Sequence, residues 1–193
     1  MKKTLIYSML AFAVVCFVAC SNNANKENKE IGSTDAAEEH NDAKFNSDNE
    51  KDAQFVVDAT RDNLISISLC DLALSRSTHP EVKELAKNLS DHHTKAQNEL
   101  AALAAKKNIT IPSTPDTEAS EYKTLNDKSG NDFEKTYYNK IVDMHKAAIS
   151  RFEKAAQDSK DADIRNWASA QLPTLRTHLD RAMNDQKLAD NWN

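Results

Sequence analysis

His93, His145 and His178 are the residues in this chain whose type and spacing could do chemistry. Each lies on the apolar stripe of a different helix-period segment. His93 follows Val82, Leu85 and Leu89 and precedes Ala96, Leu100 and Leu103, a recurrence at steps of three, four and seven. His145 sits on a face that carries Phe133, Tyr137, Ile141, Ala148 and Phe152, and His178 on one that carries Ile164, Trp167, Ala168, Leu172, Leu175, Leu179 and Ala182. A histidine within a buried stripe either satisfies a hydrogen bond in the core or binds something. Neutral imidazole is a good ligand for Zn, Cu or Fe, and three of them leave a coordination position open. Asp91 and His92, beside His93, are secondary candidates for the same site.

If the three segments are neighbours, the imidazoles converge in one layer. Two chemistries then compete. In one, the rings share a transition metal ion. In the other they are core histidines hydrogen-bonded to groups such as Asp91, Ser66 or Tyr137. A di-iron oxidase or ferritin centre needs carboxylates from two helices and a Glu-x-x-His step on each of the others. Here the residues three before the histidines are Ser90, Val142 and Leu175, so no such step exists.

Other reactive signatures are missing. The sequence has no phosphate loop, no Gly-x-Ser-x-Gly and no Cys-x-x-Cys. Cys70 stands alone in the domain and reads as a small buried apolar residue. Trp167, Trp192 and the tyrosines read as core and end-cap packing, and His79 as an exposed turn residue. A net charge of -5 without a basic stripe argues against nucleic acid, whose binding surfaces need clustered Lys and Arg.

The elements that must position the histidines are helices. Two Gly and four Pro in 193 residues supply few turn and sheet-corner residues, while Ala, Leu, Lys, Glu, Asp and Asn dominate. The first helix is expected from about Asp48 or Lys51 to Ser75, with Phe55, Val56, Ala59, Leu64, Ile67, Cys70 and Leu74 inward. Thr78-His79-Pro80 interrupts it, and Pro80 suits the first turn of a second helix that ends near Lys106–Asn108. Ile109 to Pro115 cannot be helical and reads as an extended crossover. A short helix follows from about Thr117 to Lys128, then a third long helix from about Asp132 to Ser159. A fourth begins after Lys160-Asp161, with Pro173 expected to kink it or start a new segment, and Leu188 and Trp192 closing one end. The pattern predicts an all-α fold: a four-helix up-down bundle, ferritin-like, with a short extra helix in the crossover between helices two and three.

Ahead of the helices lie two further regions. Residues 1–19 read as a lipoprotein signal peptide: Lys2-Lys3, an apolar run from Leu5 to Ala19, then Cys20 followed by polar sequence. Phe17-Val18-Ala19-Cys20 resembles the bacterial lipoprotein box, with Phe17 where Leu is usual. The resemblance implies a diacylglycerol thioether on Cys20, and Ser21 fits the outer-membrane sorting pattern of Gram-negative lipoproteins. Residues 20–49 are rich in Asn, Lys, Glu, Asp and Ser and read as a flexible tether with a mean span of about 30 Å. The domain itself is assigned to 50–193.

The domain resembles a ferritin-like bacterial domain of unknown function, often labelled as an outer-membrane protein or lipoprotein. The landmarks are Leu72-Ala73, Val82-Lys83 with Ala86, His93 with Ala96 and Leu100, Ile111-Pro112, Gly130 with Phe133 and Tyr137, Val142 and His145 with Phe152, and Leu172-Pro173 with His178-Leu179. Two positions depart from the family pattern. Ser66 stands where a Glu is usual and His92 where Asp is usual, with Asp91 displaced by one.

These readings together predict a lipid-anchored protein of the Gram-negative outer membrane, facing the periplasm or the surface. Its expected partners are the membrane through Cys20 and an envelope protein or small ligand. The first reading is a non-enzymatic binding or structural role without a cofactor. The alternative is a metal-binding or redox protein that holds Zn, Fe or Cu at the core histidines.

Overall fold

Runs of good helix formers, broken only where Pro, Gly and capping residues fall, dictate the architecture. The computed structural model describes residues 32–192, which form six helices. These are α1 (Thr34–Asp42), α2 (Ser47–Arg76), α3 (Pro80–Lys107), α4 (Ser120–Asn126), α5 (Gly130–Asp158) and α6 (Ala162–Ala189). There is no strand among the described residues, so the fold is all-helical. Local chemistry sets the boundaries. The side chains of Ser33, Asn46 and Asp161 accept amide hydrogens of the first turns of α1, α2 and α6, and Pro80 occupies the first turn of α3. Helix α3 stops where Asn108 turns left-handed at φ 55°, a conformation Asn tolerates better than most residues.

The four long helices pack in two strong pairs, α2 on α3 and α5 on α6. Contacts between α2 and α5 and between α3 and α6 join the pairs around one interior. Helix α4, on the crossover between α3 and α5, rests against α2 and α5. The interior divides into two apolar clusters. One is built from Ile65, Leu69, Leu85, Leu89, Tyr137, Tyr138 and Ile141. The other is built around Phe55, Leu100, Phe152, Ile164 and Leu172, with Trp167 packed against it. Buried side chains of this size each contribute about 1.5–3 kcal/mol relative to exposure. Between the clusters the chain places a polar layer, since His93 lies between Leu89 and Leu100, His145 between Ile141 and Phe152, and His178 between Leu175 and Ala182.

Several expectations need correction. Residues 34–42, assigned to the tether, form helix α1, which packs on α2. Its Asn41 is buried and clasps Thr110, donating through Nδ2 to the carbonyl at 2.8 Å and accepting the amide at 2.9 Å. The composition of this segment gives no hydrophobic signal because tertiary hydrogen bonds hold it. On α2 Phe55, Val56, Ala59 and Cys70 are buried as expected, but Leu64, Ile67 and Leu74 are only half-buried, and Ile65, Leu69 and Ala73 face inward instead. Helix α6 continues through Pro173, so no new segment starts there. Leu188 is exposed and closes nothing, whereas Trp192 stacks on His79 with 3.8 Å between ring centroids, so His79 is half-buried. Residues 1–31, which include the proposed leader and Cys20, lie outside the described residues.

Candidate metal centre

Helices α3, α5 and α6 each deliver one imidazole to the polar layer. One ring nitrogen of each of His93, His145 and His178 lies within 4.8 Å of the others. All three side chains are buried. Their ring centroids are 5.4 to 5.8 Å apart, and the ring planes are tilted or near-perpendicular to one another. Rings so inclined bring nitrogens toward a common region rather than stacking face on face.

Each ring's hydrogen follows from its partners. His145 Nδ1 lies 2.8 Å from the carbonyl of Ile141, which can only accept, so Nδ1 carries the hydrogen and Nε2 a lone pair. His178 Nδ1, 3.3 Å from that Nε2, is then a donor. His178 Nε2 consequently accepts from His92 Nδ1 at 2.6 Å. His93 Nδ1 donates to Asn63 Oδ1 at 2.9 Å, which leaves a lone pair on His93 Nε2. That atom is buried and has no hydrogen-bond partner in the structure, and neither has Asn63 Nδ2.

The electrostatics keep the rings neutral. Burial, the largest cause, pushes the His93 imidazolium well below its usual range, and His145, His178 and His92 add to the effect. Burial likewise lowers His178 to about 3, helped by His145 and His92. His145 is lowered by burial against an opposing effect of its bond to Ile141. Three neutral imidazoles oppose a cation with no positive charge at neutral pH. Two small cavities of about 20 Å³ each flank His93, one lined by Asn63, Ser66, Met144 and His145, the other by His92, Gln171 and His178. Each has room for about one water or ion.

The structure therefore gathers His93, His145 and His178 and places His92 behind His178. Asp91 is not part of the site. It is two residues, about 200° of helix rotation, from His93, and its carboxylate is exposed and paired with Lys87 at 2.8 Å. The expected partners Ser66 and Tyr137 also need correction. Ser66 lines the cavity without a bond to a histidine, and the Tyr137 hydroxyl contacts Cys70 Sγ at 3.6 Å. Burial raises the Cys70 thiol to about 12, so it is inert at neutral pH. The partner that sequence reasoning missed is Asn63. Its signal was its place one turn after Ala59 and seven residues before Cys70, an inward position held by an amide.

Residues 35–184 match the family described as a domain of unknown function, DUF4142. The fold is similar to that of a conserved hypothetical protein from Mycobacterium tuberculosis, with a TM-score of 0.59 at 18% identity over 76% of this chain and 96% of that one. It is also similar to a DUF305 fragment from Deinococcus radiodurans, with a TM-score of 0.63 at 14% identity over 71% of this chain and 95% of that one. At these identities the likeness concerns fold alone. A comparison with curated proteins returns no match.

Proposed function

Starting from a chain that belongs to the DUF4142 family of unknown function, we propose that it is a lipid-anchored cell-envelope protein whose helical core binds one transition metal ion through His93, His145 and His178. The observation that carries the metal reading is the bare Nε2 of His93, a buried lone pair beside two further imidazoles. Leaving such an atom unsatisfied costs about 1–3 kcal/mol, and an ion at the centre of the triad removes that cost. The surrounding bonds support this reading. His93 and His145 each donate the hydrogen of Nδ1 to a carbonyl oxygen, the arrangement that fixes Nε2 as a ligand. The 3.3 Å between His145 Nε2 and His178 Nδ1 is close to the edge of a tetrahedron whose metal–nitrogen bonds are about 2.0–2.1 Å, and a small inward shift of the rings from their 4.8 Å span would complete it. Three neutral nitrogen ligands suit Zn or Cu.

In this reading the four long helices are an up-down, ferritin-like bundle, an arrangement that builds ligand sites from facing helices. The leader and Cys20 supply a lipid anchor to the outer membrane, with the domain facing the periplasm or the surface. No helix among the described residues is long and apolar enough to cross a membrane. The role is binding rather than catalysis.

One observation favours a second reading, a purely structural network. The bonds from His92 to His178, His145 and the Ile141 carbonyl form a continuous relay without any ion. Titration of the untagged full-length chain with Co²⁺, followed by its visible absorption, decides between them. Saturation at one ion per chain, abolished in His93→Ala, is the expected result. Absence of any spectral change up to millimolar Co²⁺ leaves only the structural network.

A further inference from the structure

We infer that His92 is a positioning residue of this site, holding the tautomer of His178 that exposes Nδ1 to a metal. The inference rests on the metal reading above. A metal takes a lone pair, but in the structure His178 Nδ1 carries the hydrogen it directs at His145 Nε2. To bind at Nδ1, His178 must instead carry its hydrogen on Nε2. The group at Nε2 is His92 Nδ1, 2.6 Å away. One hydrogen lies between these two nitrogens, so a hydrogen held by His178 Nε2 requires a bare Nδ1 on His92.

His92 is placed to make that change. Its ring plane is 18° from that of His178, and the centroids are 4.8 Å apart while the nitrogens are far closer. The rings therefore meet edge to edge, in the geometry of an N–H···N bond. His92 is exposed, so its own Nε2 can exchange with water. The exchange balances: His178 Nδ1 gives one hydrogen to water, His92 Nδ1 passes one to His178 Nε2, and His92 Nε2 gains one from water. Charge is unchanged. The two nitrogens of the His178 ring point in different directions, so a residue bonded to Nε2 cannot reach an ion on Nδ1. His92 accordingly falls outside the convergent set. Its role is that of the carbonyls of Asn63 and Ile141 toward the other two rings, with the difference that it can reverse its donor and acceptor ends.

The test compares the full-length wild type with His92→Phe, which cannot accept a hydrogen bond, and His92→Asn, whose Oδ1 can. Binding is read by Co²⁺ titration, and the hydrogen positions on His178 by ¹⁵N NMR of the Zn²⁺-loaded protein. Loss of a partner of this kind costs about 10–100-fold in metal affinity. We expect His92→Phe to bind one Co²⁺ that much more weakly and His92→Asn to restore affinity close to wild type. In Zn²⁺-loaded wild type, His178 should show a hydrogen on Nε2 and metal on Nδ1. Wild-type affinity in His92→Phe, no rescue in His92→Asn, or metal on Nε2 of His178 would each overturn the inference while leaving the metal site standing. A wild type that binds no Co²⁺ overturns both.

Discussion

His93 combines two features that rarely occur together in a core: one ring nitrogen firmly bonded to Asn63 and the other buried without a partner. The bonded side fixes what the free side can do. Replacing Asn63 by Ala should leave the buried Nδ1–H of His93 unsatisfied, at about 1–3 kcal/mol. The urea midpoint is expected to fall accordingly, and Co²⁺ affinity with it, because the ring loses its preferred tautomer. Unchanged affinity with lowered stability would reduce Asn63 to a packing residue.

The same three rings impose a pH dependence. In the unfolded chain each histidine titrates near its ordinary value of about 6.5, whereas burial lowers His93, His145 and His178 in the folded protein, His178 to about 3. Between those limits the unfolded state binds more protons than the folded one, so stability is full above pH 6.5 and is lost as pH falls. The slope is on the order of 1.4 kcal/mol per pH unit for each ring that is charged unfolded and neutral folded. Chemical denaturation of the metal-free protein at pH 7.5, 6 and 5 should show the midpoint falling at each step. A flat profile over that range would mean that the rings take up protons in the folded state.

The long helices were legible because an apolar stripe recurs over seven or eight turns in α3, α5 and α6, and the histidines were legible because they interrupt those stripes at inward positions. Helix α2 was read correctly at Phe55, Val56, Ala59 and Cys70 but not at Leu64, Ile67 and Leu74, beside which Ile65, Leu69 and Ala73 are the buried positions. It touches α1, α3, α4 and α5, so both edges of its stripe are partly covered and periodicity alone does not locate the centre. Helix α1 left no trace in the pattern, since a nine-residue polar helix is stable only through what it docks against. The hydrogen relay was equally hidden, because distances between side chains on different helices decide it.

Helix α1 yields its own expectation. Asn41 makes two bonds to the backbone of Thr110 and Gly32 accepts from Ser113, so this segment straps the start of the crossover. Each such bond nets about 0.5–1.5 kcal/mol. Asn41→Ala should abolish slow hydrogen exchange at the Thr110 amide while leaving the amides of α3 and α5 protected. Limited proteolysis of the wild type should leave a core that begins before Ser33 rather than near Phe55.

The proposed anchor and the proposed metal would each act on the protein as a whole. Gly32, the first described residue, is twelve residues after Cys20, and a chain of that length spans at most about 40 Å, against about 100 Å at full extension for one running from Cys20 to residue 49. A lipidated Cys20 would therefore keep the domain much nearer the bilayer than a tether running to residue 49. Cys20→Ala should move the protein from the membrane to the soluble fraction. Retention in the membrane fraction would refute the anchor.

Metal binding should be felt well beyond the triad, because its ligands come from α3, α5 and α6 and the layer they form lies between the two apolar clusters. An ion there joins three helices that unfolding must separate, and the unfolded chain holds its three histidines 52 and 33 residues apart in sequence, too far for a preformed site. A ligand that binds the folded state alone stabilises it by about 2.7 kcal/mol at a hundredfold excess over its dissociation constant. For a domain of this size, that amounts to a rise of about 5–10 °C in Tm. The rise should appear with Zn²⁺ at pH 7.5, vanish in His93→Ala, and shrink as pH falls and protons compete for the imidazoles. A rise that survives His93→Ala would place the ion elsewhere on the protein. No rise in the wild type, at Zn²⁺ concentrations that abolish the Co²⁺ spectrum by competition, would mean that the unfolded chain binds the ion as well as the folded one does.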